Sequence, residues 1–250
     1  MQLQRRFQRP GPLSAVVGAG MALAFTVAVS PLPAQTRFSD ARMIFEVNST
    51  DGDAGIQVFL DGDEWRTVAM TDPGGREILE VTNKGRLANV GLTELFVESQ
   101  EPSFDEVPLR EFLQKFPAGE YRFRGITVEG EAIVASATLT HRIPEGPVIV
   151  APEPDAVLRP DGAVIEWRPV TRPRGIEIVR YQVIVELEEP SLLGGKAVFS
   201  VDLPATVTSL RLPREFLQFG KEYKFEVLAI EAGGNQTISE ASFETVPFRP

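Results

Sequence analysis

Tyr181-Gln-Val-Ile-Val-Glu-Leu187 and Tyr223-Lys-Phe-Glu-Val-Leu-Ala229 are both written with a period of two. Tyr181, Val183, Val185 and Leu187 share one side of an extended chain, and Gln182 and Glu186 share the other. In the second stretch Tyr223, Phe225, Val227 and Ala229 alternate with Lys224 and Glu226. Such alternation predicts half-buried strands, one face on a core and one facing water. The same period recurs upstream, where Ile56, Val58 and Leu60 alternate with Gln57 and Phe59, and where Leu95 and Val97 alternate with Glu94 and Glu98. Turn signals punctuate these runs: Asp51-Gly52, Asp61-Gly62, Pro73-Gly74-Gly75, Asn83-Lys84-Gly85, Gly194-Gly195 and Gly233-Gly234-Asn235. Short strands separated by Gly and Pro predict an all-β chain of sandwiches rather than a βαβ fold.

Ile143-Pro-Glu-Gly-Pro147 divides the alternating region into two stretches of similar length. Each is a natural size for one sandwich. The expected organisation is a domain at 40–143, a linker at 144–147 stiffened by Pro144 and Pro147, and a domain at 148–248. An internal repeat supports the division. Arg110-Glu-Phe-Leu-Gln114 returns unchanged as Arg214-Glu-Phe-Leu-Gln218, and each copy leads to a Glu-Tyr-x-Phe strand start, at Tyr121 and at Tyr223. A Tyr entering a strand from a turn predicts a tyrosine corner, with its ring buried and its hydroxyl bonded back to the loop. In the first copy Leu109, Phe112, Leu113 and Phe116 fall at helical spacing, which predicts a short helix over Glu111–Phe116 packed beneath a crossover.

Residues 1–34 read differently. Arg5, Arg6 and Arg9 precede an apolar run from Ala15 to Val29, followed by Ser30-Pro-Leu-Pro-Ala34. A basic head, a short apolar core and a small-residue exit predict a secretory signal peptide, cleaved after Ala34. The run is too short and too rich in Ala and Gly for a confident membrane span, so no stable membrane insertion is expected after cleavage. The predicted location is periplasmic or secreted.

The chain has 250 residues, 35 acidic and 25 basic, with one His and no Cys. The absent cysteines exclude a disulfide framework, a thiolate metal site and a Cys nucleophile. A formal charge of -10 argues against nucleic acid as a partner, because an acidic surface repels a polyanion. The residues 1–34 carry three arginines and no acid, so the remainder is more acidic still.

About residues 146–247 resemble a fibronectin type III domain. Ala163-Val-Ile-Glu-Trp167-Arg-Pro169 is similar to that family's second strand, and Ile178-Val-Arg-Tyr181-Gln-Val183 to its third. Leu212 and Tyr223 stand where the family has its corner Leu and Tyr, and Gly233-Gly-Asn-Gln-Thr-Ile-Ser239 resembles its closing hairpin. The resemblance implies a seven-stranded sandwich used as a spacer or binding module, and no chemistry. No Arg-Gly-Asp tripeptide is present. The first half lacks the Trp-Pro strand, departs from the pattern at Gly125, and resembles only a general Ig-like sandwich of exported bacterial proteins.

Several constellations invite a site. Asp51, Asp53, Asp61 and Asp63 are the ligand type a hard cation such as Ca²⁺ takes, but EF-hand spacing fails. The strand between the two pairs holds them apart at about 3.3 Å per residue. Asp-Gly turn chemistry is the expected role. Glu94, Glu98, Glu101, Asp105 and Glu106 suggest a glycosidase pair, yet Glu94 and Glu98 on one strand face lie about 13 Å apart along it. Phe96 sits between them as a ring able to stack on a sugar, meet a partner or pack against Arg side chains. His141 has no imidazole partner, and no Gly-x-Ser-x-Gly, Walker-A or Gly-x-Gly-x-x-Gly motif occurs. Asn48-Ser-Thr50 and Asn235-Gln-Thr237 are formal glycosylation acceptors whose expected role is in turns. No catalytic, cofactor-binding or metal residue is assigned. The predicted function is non-enzymatic binding or scaffolding through sandwich surfaces on a protein or glycan partner. The alternative is a small carbohydrate-active or peptidoglycan-modifying enzyme using carboxylates of the first half.

Overall fold

The computed structural model describes residues 36–154, 156–189 and 196–248. The predicted signal peptide and the Gly194-Gly195 turn lie outside them. The described chain is all-β apart from two short helices, and no described helix is long and apolar enough to cross a membrane.

The first half contains β1 (Thr36–Arg37), β2 (Asp40–Asn48), β3 (Asp53–Thr71), β4 (Glu77–Thr82), α1 (Leu87–Val90), β5 (Leu92–Glu98), α2 (Leu109–Lys115), β6 (Gly119–Thr127) and β7 (Ala132–Leu139). Its organising element is β3, 19 residues long. The first part of β3 pairs with β2 and β5, and its second part with β4 and β6. Asp61-Gly62 is therefore not a turn, contrary to the sequence expectation. The β3–β5 register jumps from Asp61 to Trp65, so Gly62, Asp63 and Glu64 bend the strand without ending it. Trp65 emerges from this irregularity fully buried. One bent sheet thus supplies the layers around a core that includes Phe45, Trp65, Tyr121 and Phe123. Gly125 pairs with Val68, and a Cβ there would collide with the Thr67 carbonyl. Its departure from the expected pattern is thus a steric requirement of the β3–β6 pairing.

The second half contains β8 (Val148–Ala151), β9 (Ala156–Leu158), β10 (Val164–Arg168), β11 (Ile178–Leu187), β12 (Val198–Pro204), β13 (Ser209–Arg211), β14 (Glu222–Glu231) and β15 (Gln236–Thr245). Strands β8, β10 and β13 make a small sheet, and β15, β14, β11 and β12 follow one another in a larger one. Between them lie Trp167, Tyr181, Tyr223, Phe225 and Phe243. Trp167 meets Tyr181 edge-on at 5.3 Å, and the Tyr181 hydroxyl accepts the Val170 N–H at 2.8 Å.

The larger sheet does not stop at β15. That strand pairs in parallel with β2 over Gln236–Glu46, Thr237–Val47 and Ile238–Asn48, producing one 12-stranded sheet through both halves. Asn235, only 1% exposed, anchors the seam. Its Oδ1 accepts the Phe45 N–H at 2.9 Å, and its Nδ2 donates to the Thr140 and Arg142 carbonyls, both at 3.1 Å. Thr237 donates to the Pro144 carbonyl at 2.6 Å, and Ser49 donates to the Ile238 carbonyl at 2.6 Å. Gly146 passes directly over the seam, where a Cβ would collide with the Ser49 and Ser239 hydroxyls. Asn235 is consequently more than a turn residue, and its amide nitrogen is committed inside the folded chain.

Candidate functional site

Continuity of the sheet creates a surface that neither half presents alone. Leu228, Ile230 and Ile238 point away from the main core of the second half, yet all are buried in a cluster with Ile184. The face opposite the core is therefore not uniformly solvated, as alternation alone suggested. The twist of a continuous sheet turns β2 and β3 toward this face. The result is a groove of about 280 Å³, lined on one side by Arg42, Phe59 and Phe96 and on the other by Arg180, Gln182 and Gln236. Phe59 and Phe96 are register partners across β3 and β5. The Arg42 guanidinium lies 4.4 Å from the Phe59 ring centroid and 3.0 Å from Asp40. Phe96 remains 59% exposed. Of the roles its sequence position allowed, burial beneath arginine belongs to Phe59, while Phe96 offers a free ring.

Glu46 stands at one end of this surface and was not singled out by the sequence. In Phe45-Glu-Val47 it reads as an ordinary outward-facing strand residue, and nothing local announces its neighbours. Its direct partner across the seam is Gln236, whose Nε2 donates to Glu46 Oε2. Gln57 Nε2 donates to Glu46 Oε1 at 3.0 Å and to Glu98 Oε1 at 2.9 Å. Glu101 lies above Gly55, and oxygens of Glu46, Glu98 and Glu101 come within 4.8 Å of one another. Burial pushes the Glu46 carboxyl up to about 7; the Gln236 hydrogen bond opposes that, while Glu101, Glu98 and Glu226 reinforce it. Burial also raises Glu101, with help from Asp53 and Glu98, and raises Asp53, with help from Asp51 and Glu240.

The other sequence candidates disperse. Asp51 belongs to the β2–β3 hairpin, where Asn48 Oδ1 accepts the N–H groups of Thr50 and Asp51 at 3.0 and 3.1 Å. Asp61 pairs with Asp40 at the opposite end of the same hairpin, so the two Asp pairs do not converge. Glu94 is opposite Asp61, away from Glu98, which faces Gln57. His141 Nε2 donates to the Phe116 carbonyl at 2.9 Å while its ring meets Phe45 at 5.7 Å. It closes the end of the first core rather than joining the acids.

No family model matches the chain, and no curated protein matches it. Among solved structures, it is similar to the fn3 domain of human collagen alpha-1(XX) chain at 25% identity and a TM-score of 0.30, with 43% of this chain and 87% of that chain covered. It is also similar to the chicken CNTN1 FN1–FN3 domains at 13% identity and a TM-score of 0.32; 85% of this chain is covered, and 65% of that one. Strand order carries the fold assignment independently of these superpositions. The β8–β10–β13 sheet facing the β15–β14–β11–β12 sheet is the fibronectin type III arrangement, with Trp167 and Tyr223 in its core. The molecule is thus an all-β protein whose second half has a fibronectin type III-like sandwich fold and shares one sheet with an Ig-like first half.

Proposed function

We propose that this is an exported, non-enzymatic binding or scaffolding protein that presents the groove between its halves to a protein or glycan partner. The observation carrying this reading is Phe96, an exposed ring on a concave surface whose other side is supplied by the second half. Apolar surface rimmed by amides and charges is what recognition sites offer, and an aromatic ring contributes large contact area at small entropic cost. Export rests on the composition of residues 1–34.

Pull-down from an envelope extract tests the reading, with wild-type bait beside Phe96→Ala and Arg180→Ala baits of equal melting temperature. Capture by the wild type and loss by the groove variants is expected. Equal capture by all three moves the site elsewhere, and repeated capture of nothing by folded bait overturns the proposal. A second reading, glycan or peptidoglycan hydrolysis, draws on the proximity of Glu46 and Glu98. It predicts a hydrolase activity abolished in Glu46→Gln and Glu98→Gln.

A further inference from the structure

The two arms of β3 diverge from the bend at Gly62–Glu64 and carry the layers of the first core with them. β5 borders the first arm and β4 the second, and among the described strands each pairs with β3 alone. No ladder of hydrogen bonds therefore seals the core between their edges. A cleft of about 170 Å³ opens there. One layer presents Met43, Ile56, Val58 and Val97 to it, the other Met70 and Leu79. The neighbours that alternate with the first set, Arg42, Gln57, Phe59 and Phe96, line the groove described above. Cleft and groove are thus opposite sides of the same strands and share no lining residue.

Inside the cleft the polar groups are already engaged. The Tyr121 hydroxyl donates to the Pro117 carbonyl at 3.0 Å, and the Asp72 carboxylate holds Arg76 at 3.1 Å. A water molecule in such a space needs about two to four polar partners, whereas an apolar space of about 150 Å³ admits benzene. The rim has a different character. Arg76 and Lys115 border the cleft as exposed side chains, two cations against the one carboxylate of Asp72. Arg76 is paired with that carboxylate. Lys115, the last residue of α2, makes no ion pair among the described residues. A cation without a counter-ion at the mouth of an apolar cleft complements an amphiphilic acid.

We propose that this cleft binds a small amphiphilic carboxylic acid: an apolar body of about six carbons enters between the arms of β3, and its carboxylate pairs with the Lys115 ammonium. Burial of the apolar body supplies the affinity, since every methylene removed from water favours the bound state. The ammonium supplies the preference for an acid over a base. That preference is modest, about fivefold, because the pair forms at an exposed rim where water and salt screen it. Occupancy of the cleft is independent of the groove, which faces the other way from the same strands.

Carbon-13 labelling of the methionine methyls reads the cleft directly in the full chain. Met43 and Met70 line it, and the other two methionines, Met1 and Met21, lie in the segment 1–34. Hexanoate and hexylammonium are titrated at neutral pH and equal ionic strength. Hexanoate should shift the Met43 and Met70 methyls saturably and bind about fivefold tighter than hexylammonium. Lys115→Glu should invert that order, while Phe96→Ala, on the groove side of β5, should leave it unchanged. Ile78→Trp, at a cleft residue that is 37% exposed, should block both ions without entering the core. Circular dichroism melts establish that each variant is folded. Absence of a saturable shift in the wild type overturns the proposal whatever the variants do. So does equal affinity for the two ions, or an order that Lys115→Glu leaves unchanged; the cleft would then seat any apolar group, a partner's side chain included.

Discussion

Arg110–Gln114 and Arg214–Gln218 are the same five residues in two halves of one chain, and they adopt different structures. The first copy lies within α2, closed by backbone bonds from Phe112 N–H to Pro108 and from Phe116 N–H to Leu113. The second is a pair of tight turns, with Phe216 N–H on Pro213 and Leu217 N–H on Arg214. Pro213 directly precedes the second copy and Pro108 stands one residue farther from the first, and each copy delivers a buried Tyr to the next strand. The first copy has two more residues before its Tyr, enough to finish a helical turn. That helix puts Phe112 into the core against Phe45 at 6.1 Å and Phe116 at 5.8 Å. The second copy buries Leu217 instead and leaves Phe216 half-buried. An identical pentapeptide is thus too short to determine its own conformation. The distance to the next anchored residue and the shape of the core above it choose between helix and turn.

The sharpest way to break this comparison is to truncate its two Phe residues. Phe112→Ala should destabilise the protein by about 4 kcal/mol, as expected for deleting a buried aromatic side chain. Phe216→Ala should cost about 1–2 kcal/mol, because less of its surface leaves water on folding. Urea denaturation measures both, and equal losses would show that the two copies support their cores alike. Asn235→Ala comes next, at about 3 kcal/mol, because it leaves the buried Phe45 N–H and the Thr140 carbonyl without their partner. It should also split one cooperative transition into two, whereas a single unchanged transition would mean the halves are coupled by something other than the seam.

The smallest expected effects distinguish the tyrosine corners. Tyr223 accepts the Gln218 N–H at 2.8 Å, whereas Tyr121 donates to the Pro117 carbonyl at 3.0 Å. Tyr223→Phe strands a donor with a single hydrogen and should cost about 1.5 kcal/mol. Tyr121→Phe frees a carbonyl of an exposed proline that water can serve, and should cost about 0.5 kcal/mol. Reversal of that order in thermal melts would contradict the donor and acceptor roles described here. Burial pushes the Tyr121 hydroxyl up to about 12, so its ionisation should be invisible to ultraviolet titration below that range.

Much of the fold was legible in residues 181–187 and 223–229, because alternation is a local property and the face each side chain takes follows from strand geometry. The tyrosine corners were legible for the same reason: a Tyr and its backbone partner lie four or five residues apart. Asp61-Gly62 misled because a bulge and a turn favour the same residues. The site was mostly illegible. Phe96, Glu98 and Glu101 stand out in the sequence, but Glu46 gains its character from Gln236, 190 residues away. Asn235, an apparent turn residue, acquires its role from Phe45, equally remote.

By itself, the sequence determined the strands, their inward faces, the short helix before Tyr121 and the strongly acidic surface. Each depends on neighbours within a few residues. Only the tertiary structure decided that β2 and β15 would pair and that three carboxyls would gather beside one seam. It alone also set the two outer faces to form one groove. Parallel pairing between remote strands has no local signature, since backbone N–H and C=O groups are alike at every residue and their partner is chosen by how the two cores pack.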